Sequence, residues 1–148
     1  MRISTKCSIA IHCLIFLAEY ENQTKVTGEL LAKSTGCNPV IIRNILASLQ
    51  KEKIITVTRG AGGTHLAADP AGLTLWQIYC AVEPDRLTHL MGLHPNPAPQ
   101  CPVGRGIADV LAKPYSLISS AVQETMDKIT LQELIDDYRN RKSINTEI

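Results

Sequence analysis

Residues 59 to 65 read RGAGGTH, with three glycines in four positions behind an arginine. Glycine accepts a positive φ and lets the backbone come close to a partner. The run therefore suits either a phosphate-binding loop of an enzyme or a hairpin tip that touches phosphates from outside. ITVT before it and THLAA after it are both typical of short strands. A phosphate loop joins a strand to the N-terminus of a helix, so the flanking residues predict a hairpin tip.

An enzyme is the first alternative to that interpretation. The glycine run lacks the lysine and the serine or threonine of a P-loop, and it lacks the six-residue dinucleotide fingerprint. No pair of carboxylates and no nucleophile with a neighbouring base stands out elsewhere in the sequence. The sequence therefore predicts a protein without catalytic activity.

Cys101 is a second candidate functional residue, because its thiol could be reactive. Because Pro102 suits the first position of a helix, Cys101 is predicted to be the N-cap, with its sulfur near free N–H groups and the positive end of the helix dipole. Arg105 would add a cation, and both effects favour the thiolate. Oxidation to a sulfenic acid, or a disulfide with Cys37, could then act as a redox signal. The alternative is that Cys101 only caps and packs.

The cysteine count indicates the compartment. Five cysteines at irregular spacings do not read as a secreted disulfide framework. Two basic residues precede an apolar stretch near the N-terminus, as in a secretory signal, but His12 interrupts that stretch and no small-residue cleavage site follows. The stretch is also too short to span a bilayer. We expect a cytoplasmic protein with reduced thiols, of which Cys7, Cys13 and Cys80 lie on apolar helical faces and belong to the core.

Six helices and one hairpin are expected to position these residues. Apolar spacing predicts helices over residues 5–20, 28–34, 39–52, 73–83, 102–129 and 131–142. Thr27, Asn38 and Thr130 are predicted N-caps, and Gly36 ends the second helix. The second and third helices, joined by a tight turn, have the spacing of a helix-turn-helix, and the following hairpin makes the prediction a winged helix-turn-helix.

The predicted fold class is mainly α with a small β-hairpin wing and a long C-terminal dimerisation helix. At 148 residues the chain is long enough to bury a core without disulfides or metal. We expect the winged helix-turn-helix in residues 1–83, a proline-rich loop in residues 84–101 and a helical dimerisation region in residues 102–148. Dimerisation is expected because the apolar stripe of the helix after Pro102 has no obvious cover within one small chain, and the second apolar face of the first helix would help. The predicted stripe consists of Ile107, Leu111, Ile118, Val122, Met126 and Ile129.

Charge is distributed unevenly along the chain. Residues 1–60 hold eight Lys or Arg and four Asp or Glu, a net charge of 8 − 4 = +4, whereas residues 61–148 hold seven and ten, a net charge of 7 − 10 = −3. The positive net charge of residues 1–60 and the negative net charge of residues 61–148 indicate that only the N-terminal part contacts a polyanion.

Four segments, taken in order, resemble the Rrf2 family of bacterial winged-helix transcriptional regulators, which includes the iron-sulfur cluster regulator and the nitric-oxide-sensing repressor. They are MRISTKCSIAIHCLIFLAE, NPVIIRNILASLQKEKII, RGAGGTHLAADPAGLTLWQIYCAVE and KITLQEL. The resemblance covers nearly the whole chain. It implies a homodimer that binds double-stranded DNA at a palindromic operator and usually represses transcription.

The resemblance and the helical spacing agree on the expected DNA contacts. The third helix would read base edges in the major groove, where Arg pairs with guanine and Asn with adenine. The wing would place an arginine in the minor groove. Lysines and capping residues would contact phosphates. The candidates are Val40, Arg43 and Asn44 for bases; Arg59, Gly60, Gly62 and Gly63 for the wing; and Lys6, Thr27, Asn38, Lys51 and Lys53 for phosphates. The alternatives are a solvated helix face or a winged helix that binds protein.

The sequence is compatible with several signals for such a regulator. Cluster-binding relatives place three cysteines between the fourth helix and the long helix, and this chain has only Cys101 there, so we expect no cofactor and in particular no iron-sulfur cluster. His89 and His94 could join cysteines around a metal, although their spacings match no compact site. A small-molecule effector is a further alternative, in a pocket lined by Trp76, Tyr79 and the loop near Met91.

Overall fold

Across residues 4–85, 87 and 90–146, which the computed structural model describes, six helices and one two-stranded hairpin follow in the predicted order. The side chains of residues 145 and 146 are outside the description. The fold class is confirmed. The elements are α1 Lys6–Tyr20, α2 Gly28–Thr35, α3 Pro39–Lys51, β1 Ile55–Thr58, β2 Gly63–Leu66, α4 Leu75–Val82, α5 Pro102–Asp127 and α6 Leu131–Thr146.

Several predicted boundaries were wrong. Helix α4 begins at Leu75, two residues after the predicted start, because Thr74 is its N-cap. The second strand ends at Leu66 because the N–H groups of Ala67 and Ala68 both donate to the carbonyl of Ile54, at 2.9 and 3.1 Å, which takes the chain out of the hairpin ladder. Helix α5 ends at Asp127, two residues before the predicted end. Helix α6 continues to Thr146, four residues past the predicted end.

Local capping signals set the helix-turn-helix. The Thr27 hydroxyl accepts a hydrogen bond from the Leu30 N–H, and the Asn38 side-chain oxygen accepts one from the Val40 N–H at 2.8 Å. Pro39 occupies the first turn of α3, where a missing N–H costs nothing. Gly36 ends α2 in the left-handed conformation, with φ of +68°. These residues fix where α2 stops and where α3 begins.

Helix α1 lies at the centre of the core. Its residues Ala10, Cys13, Leu14 and Leu17 are fully buried. The helix packs against α2, α3, α4, α6 and β2, which explains why both of its faces are apolar. The other most buried large side chains of this core are Leu31, Ile42, Leu49, Ile55, Ile78, Leu131 and Ile135.

Helix α6 returns to the winged-helix unit. The N–H of Leu131 donates to the Leu73 carbonyl, and the N–H of Leu75 donates to the Ile129 carbonyl, both at 2.8 Å. Arg139 adds an ion pair to Glu19 of α1 at 2.6 Å. The start of α6 therefore shares one core with residues 1–83, while the predicted division of the chain into 1–83, 84–101 and 102–148 stays a prediction.

The hairpin is joined to the segment between α1 and α2. Ile55 pairs with Leu66 and Thr58 with Gly63 in an antiparallel register. The Glu21 carboxylate accepts a hydrogen bond from the Leu66 N–H at 2.6 Å, and the Val26 carbonyl accepts one from the Thr64 N–H at 2.9 Å. The hairpin is thus held along one strand by residues 21 to 26.

Gly63 is required by both its conformation and its surroundings. Its φ is +83°, and a Cβ there would lie 3.0 Å from the Val26 carbonyl oxygen and 3.0 Å from Lys25 Cγ. We expect Gly63→Ala to lower the free energy of unfolding by about 1 to 3 kcal/mol, measured by urea denaturation. Gly72→Ala is the control, because its nearest contact would be 3.9 Å away. Equal effects from the two substitutions would contradict this account of Gly63.

Helix α5 is the least covered element. It has 26 residues, none of them buried, and it continues through Pro114. At about 1.5 Å per residue it is about 39 Å long. The predicted apolar stripe is half-buried except at Ile118, since one side of α5 packs on α4. A different row is the most exposed: Val103, Val110 and Leu117, spaced seven apart, are 70%, 66% and 61% exposed. No helix in the described ranges is both long and apolar enough to cross a membrane.

Candidate nucleic-acid interface

The outer face of α3 presents the three predicted base-contact residues together. Val40 is 54% exposed, and Arg43 and Asn44 are exposed as well. Their positions alternate with the buried residues Ile42 and Ile45, as the 3.6-residue period requires. This face begins directly after the N-cap Asn38, so its side chains project from the first turns of the helix.

A groove connects this face to the wing. A cavity of about 590 Å³ is bordered by Thr27 at the start of α2, by Arg43 and Ala47 of α3, and by Val57 of β1. We call it the α3–wing groove. The start of α2, the outer face of α3 and the first wing strand therefore lie on the same side of the molecule. A single duplex could contact all three.

The wing tip exposes Arg59 on a turn built from glycines. Gly60 and Gly63 have φ values of +77° and +83°, and a Cβ at Gly62 would clash with the Thr58 side chain. The ammonium of Lys25 donates a hydrogen bond to the carbonyl of Gly60. Lys25 thus fixes the turn that carries Arg59. Sequence reasoning missed it, because a lysine in a polar loop carries no signal for a partner 35 residues away.

The predicted phosphate contacts lie at helix ends. Lys6, Lys51 and Lys53 are exposed. Lys53 has a left-handed φ of +58° directly after α3, and the Ile54 N–H closes that helix on the Leu49 carbonyl at 3.0 Å. The capping oxygens of Thr27 and Asn38 accept backbone hydrogen bonds, which leaves the Thr27 hydroxyl hydrogen and the Asn38 amide hydrogens to donate to a phosphate.

Glu29 also borders the α3–wing groove, and sequence reasoning did not include it. It stands in the first turn of α2, where a carboxylate stabilises the helix dipole. Its negative charge lowers the attraction of the groove for a polyanion. The groove is therefore less positive than the net charge of residues 1–60 suggests.

Comparison with known proteins identifies the family. The sequence profile of Rrf2, described as an iron-dependent transcriptional regulator, matches residues 3–137. The chain belongs to the Rrf2 family. A relative is YwnA of Bacillus subtilis (strain 168), which is provisionally named an HTH-type transcriptional regulator. The two sequences are 31% identical over 134 residues, which cover 90% of this chain and 97% of YwnA.

Solved structures agree on the fold. A provisionally assigned transcriptional regulator from Lactobacillus plantarum is 26% identical, with a TM-score of 0.79 over 98% of this Rrf2 chain and 97% of that protein. CymR, the global cysteine regulator of B. subtilis, superposes with a TM-score of 0.63 over 92% of this chain and 97% of CymR. The two sequences are 19% identical, so this likeness concerns the fold alone. The predicted resemblance is confirmed: the chain is an Rrf2-family transcriptional regulator.

The family description raises the question of iron. In the loop before α5 the structure describes one cysteine, Cys101, which is exposed. Within the described residues no three His, Cys, Asp or Glu side chains come together as a set of metal ligands. His89, which was considered as a ligand, lies outside those residues. The described donors do not fit an iron-sulfur cluster, and the absence of a cofactor stays a prediction.

The redox candidates are only partly placed as predicted. Cys101 is exposed at the N-cap of α5, but its sulfur accepts no capping hydrogen bond, since a thiol sulfur is a weak acceptor. The Arg105 N–H donates to the Cys101 carbonyl at 3.0 Å, and in the described structure the Arg105 guanidinium makes no hydrogen bond to the sulfur. Cys101 therefore occupies the predicted N-cap without either hydrogen bond, and its role as a reactive thiolate stays a prediction.

The remaining thiols are less accessible. Cys37 is half-buried against the core, where its thiol donates to the Thr35 carbonyl and lies near Cys13. Burial raises the pKa of Cys13 to about 12, and Cys37 adds to the effect. Burial raises the pKa of Cys7 to about 11, with Glu83 and Cys80 adding to it. The Cys7 and Cys13 thiols therefore stay protonated at neutral pH and react slowly. The structure thus places Cys37 beside Cys13, a partner that the sequence did not suggest.

Proposed function

We propose that this chain is a cytoplasmic, homodimeric repressor that recognises a palindromic operator and has no catalytic activity. The observation that carries the proposal is the α3–wing groove, because it brings the outer face of α3, the start of α2 and the wing to one side. Arg43 and Arg59 make no ion pair or hydrogen bond within the described residues, so both guanidinium groups are available to DNA.

The division of roles follows from groove chemistry. Val40, Arg43 and Asn44 are proposed to meet base edges in the major groove, where Arg and Asn make bidentate contacts. Arg59, on a tip thinned by Gly60, Gly62 and Gly63, is proposed to enter the minor groove. Lysines and caps at helix ends would hold the phosphates on either side: Lys6, Thr27, Asn38, Lys51 and Lys53.

Helix α5 supports the homodimer. Its stripe of Val103, Val110 and Leu117 is exposed in one chain, and a seven-residue repeat of apolar side chains packs well against a second helix. A two-fold axis along α5 would present two copies of α3 to half-sites about one turn of DNA apart, about 34 Å or a multiple.

The function is tested by selecting DNA from a library of random duplexes. We expect enrichment of one palindromic sequence, and binding that weakens steeply between about 50 mM and about 200 mM salt. A protein carrying both Arg43→Ala and Arg59→Ala should enrich nothing. The alternative, a winged helix that binds protein, predicts no sequence enrichment by the wild-type chain, whether reduced or oxidised. That outcome would overturn the proposal.

Thiol oxidation is the proposed signal, because Cys101 is the exposed cysteine among those described. A peroxide would oxidise the Cys101 thiol to a sulfenic acid and be reduced to water. We expect peroxide to weaken operator binding by at least about fivefold in the wild type and to leave Cys101→Ser unchanged. Capture of Cys101 by Cys37 of a second chain would appear as a peroxide-dependent covalent dimer. A Cys101→Ser protein as sensitive as the wild type would exclude this residue.

A further inference from the structure

A cavity of about 450 Å³ runs along one side of α1, between the end of α2 and the middle of α6. We call it the α1 cavity. Its described lining comes from three helices, with seven residues of α1, Ser34 of α2 and Tyr138 of α6. From Ser8 to Tyr20 the α1 wall is about 18 Å long, at about 1.5 Å per residue. The volume falls within the range of about 300 to 1,000 Å³ typical of small-molecule sites.

The α1 cavity is separate from the effector pocket that the sequence predicted. Trp76 and Met91 border a different cavity, and Tyr79 instead stacks on Trp76, with ring centroids 5.7 Å apart. Residues 86, 88 and 89, in the loop before Met91, lie outside the described residues. The helices that border the α1 cavity are described throughout residues 6–35 and 131–144.

One end of the α1 cavity carries Ser8, His12 and Ser34, which we call the donor end. Ser8 and His12 are about one turn apart on α1, and His12 Nε2 lies 2.9 Å from Ser34 Oγ. This contact uses either the imidazole N–H or the Ser34 O–H, so with a neutral imidazole the other of these two groups stays available as a donor. The Ser8 hydroxyl has no hydrogen-bond partner within the described residues. The donor end therefore offers two donors to an acceptor group of a ligand.

The rest of the cavity is apolar and aromatic. Ile11, Ile15 and Phe16 line it and are half-buried, and we call them the apolar floor. The Phe16 ring lies against Tyr20, with ring centroids 4.8 Å apart. A side-chain hydrogen bond joins Tyr20 to Tyr138 and raises the pKa of the Tyr138 hydroxyl. A hydrocarbon or aromatic tail on this floor would be removed from water, which is favourable.

Contacts between helices fix the spacing of the cavity walls. The His12–Ser34 hydrogen bond joins α1 to α2, and the Glu19–Arg139 ion pair, at 2.6 Å, joins α1 to α6. A cavity formed in advance costs a ligand little energy for ordering its walls. The Glu19 carboxylate also borders the cavity, away from the donor end, and its negative charge disfavours a second carboxylate on that side.

The donor end and the apolar floor together favour an amphipathic anion. A carboxylate accepts several hydrogen bonds, and bonds to a charged acceptor are stronger than bonds to a neutral one. Ser8 stands in the first turn of α1, where the helix dipole favours negative charge and where the helix has no acidic residue of its own. The donor-end residues are exposed, so a carboxylate there keeps part of its hydration while its tail is buried on the floor.

We propose that the α1 cavity binds a monocarboxylate with an aromatic or short aliphatic tail. The carboxylate accepts hydrogen bonds from the donor end, and the tail lies on the apolar floor. The bound negative charge lies beside Ser8, two residues from the proposed phosphate contact Lys6, and thereby weakens operator binding. The binding statement is independent of DNA, and the effect on the operator rests on the proposed function.

The binding site is tested by titration calorimetry of the full chain with three probes. 4-Phenylbutyrate carries both parts of the ligand, 4-phenylbutanamide replaces the carboxylate by an uncharged group of similar size, and butyrate lacks the ring. We expect 4-phenylbutyrate to saturate at one molecule per chain, and each of the other two to bind at least about tenfold more weakly. No saturable binding of 4-phenylbutyrate, or equal binding of either other probe, would overturn the site.

Two substitutions check that the probe occupies the cavity. His12→Leu removes the donor pair at an exposed position and should weaken 4-phenylbutyrate at least about tenfold. Ser34→Trp, also at an exposed position, fills the donor end and should weaken the probe by at least as much. His94→Leu and Ser143→Trp make the same changes at exposed positions outside the described lining and should bind as the wild type does. Unchanged binding by either cavity variant would contradict the proposal.

A second chain is the alternative occupant, because the second apolar face of α1 was expected to help dimerisation. Leu14 of that face is fully buried within its own chain, whereas Ile11 and Ile15 line the cavity. Sedimentation of Ser34→Trp distinguishes the two occupants, and we expect this protein to stay dimeric. A monomeric Ser34→Trp protein beside a dimeric Ser143→Trp control would show that a second chain covers the cavity, and would overturn the ligand site.

The effect on DNA is tested by linkage. Saturating 4-phenylbutyrate should raise the operator dissociation constant at least about threefold, and saturating operator should weaken 4-phenylbutyrate by the same factor. An unchanged operator affinity with the probe bound would overturn regulation from this cavity. If the chain binds no DNA at all, the proposed function fails, while the calorimetry still decides whether the site exists.

Discussion

Arg43→Ala is expected to weaken binding to the selected operator by about 5- to 150-fold, the equivalent of about 1 to 3 kcal/mol, and to remove discrimination at one base pair of each half-site. The guanidinium is exposed on the groove side of α3 and free of ion pairs within the described structure. Its loss should therefore remove a base contact without disturbing the fold. The measurement is fluorescence anisotropy on the operator and on duplexes with each position changed in turn.

Two controls separate base reading from general charge. Arg141→Ala removes the same charge from exposed α6, where Arg141 pairs with Asp137, and should alter affinity less than twofold. Lys51→Ala should weaken all duplexes alike and reduce the slope of binding against salt by about 1. If Arg43→Ala weakened every duplex equally, Arg43 would be a phosphate contact and the proposed base contact would be wrong.

Leu117→Glu is expected to have the largest effect on assembly. The residue is 61% exposed in one chain and is the last of the three stripe residues, near the middle of helix α5. A carboxylate buried there without a partner costs about 3 kcal/mol or more, so we expect the dimer dissociation constant to rise at least about 100-fold. Sedimentation should then show the 16.2 kDa single chain where the wild type shows twice that mass.

Ala112→Glu is the matched control for this change. It adds the same charge at an exposed position of α5, about 160° around the helix from the stripe at about 100° per residue. We expect it to leave the dimer intact. Loss of the dimer should also weaken the full palindrome far more than a single half-site, because two linked half-site contacts become one. A Leu117→Glu protein that stays dimeric would place the interface on another face.

The parts of the fold that depend on neighbours in sequence were predictable. Asn38-Pro39 sets the start of α3, and Gly36 sets the end of α2, because capping acts within one turn. The exposed face of α3 follows from the spacing of Ile42, Ile45 and the leucines. The wing was predicted from its two short strands and the glycine turn between them, and the family resemblance added the role of Arg59 in the minor groove, which stays a prediction.

The parts that depend on distant contacts were not predictable. The second strand ends at Leu66 because the N–H groups of Ala67 and Ala68 both donate to the Ile54 carbonyl. The local sequence contains no pattern that predicts this pair of hydrogen bonds. Lys25 and Glu21 look like ordinary surface charges in the sequence, yet they bond to Gly60 and Leu66 across 35 and 45 residues. The position of the Cys101 sulfur likewise depends on a side-chain rotation that a helix-start signal does not specify.

The contacts made by Glu21, Lys25 and Val26 fix the position of the hairpin relative to the end of α1. A hairpin held in this way loses little freedom on meeting a duplex, so little of the interaction energy is spent on ordering it. It also means that the length of the segment from residue 21 to residue 26 sets the reach of Arg59. Relatives with an insertion there would carry their arginine tip to a different depth or a different base step, even with an identical RGAGG sequence.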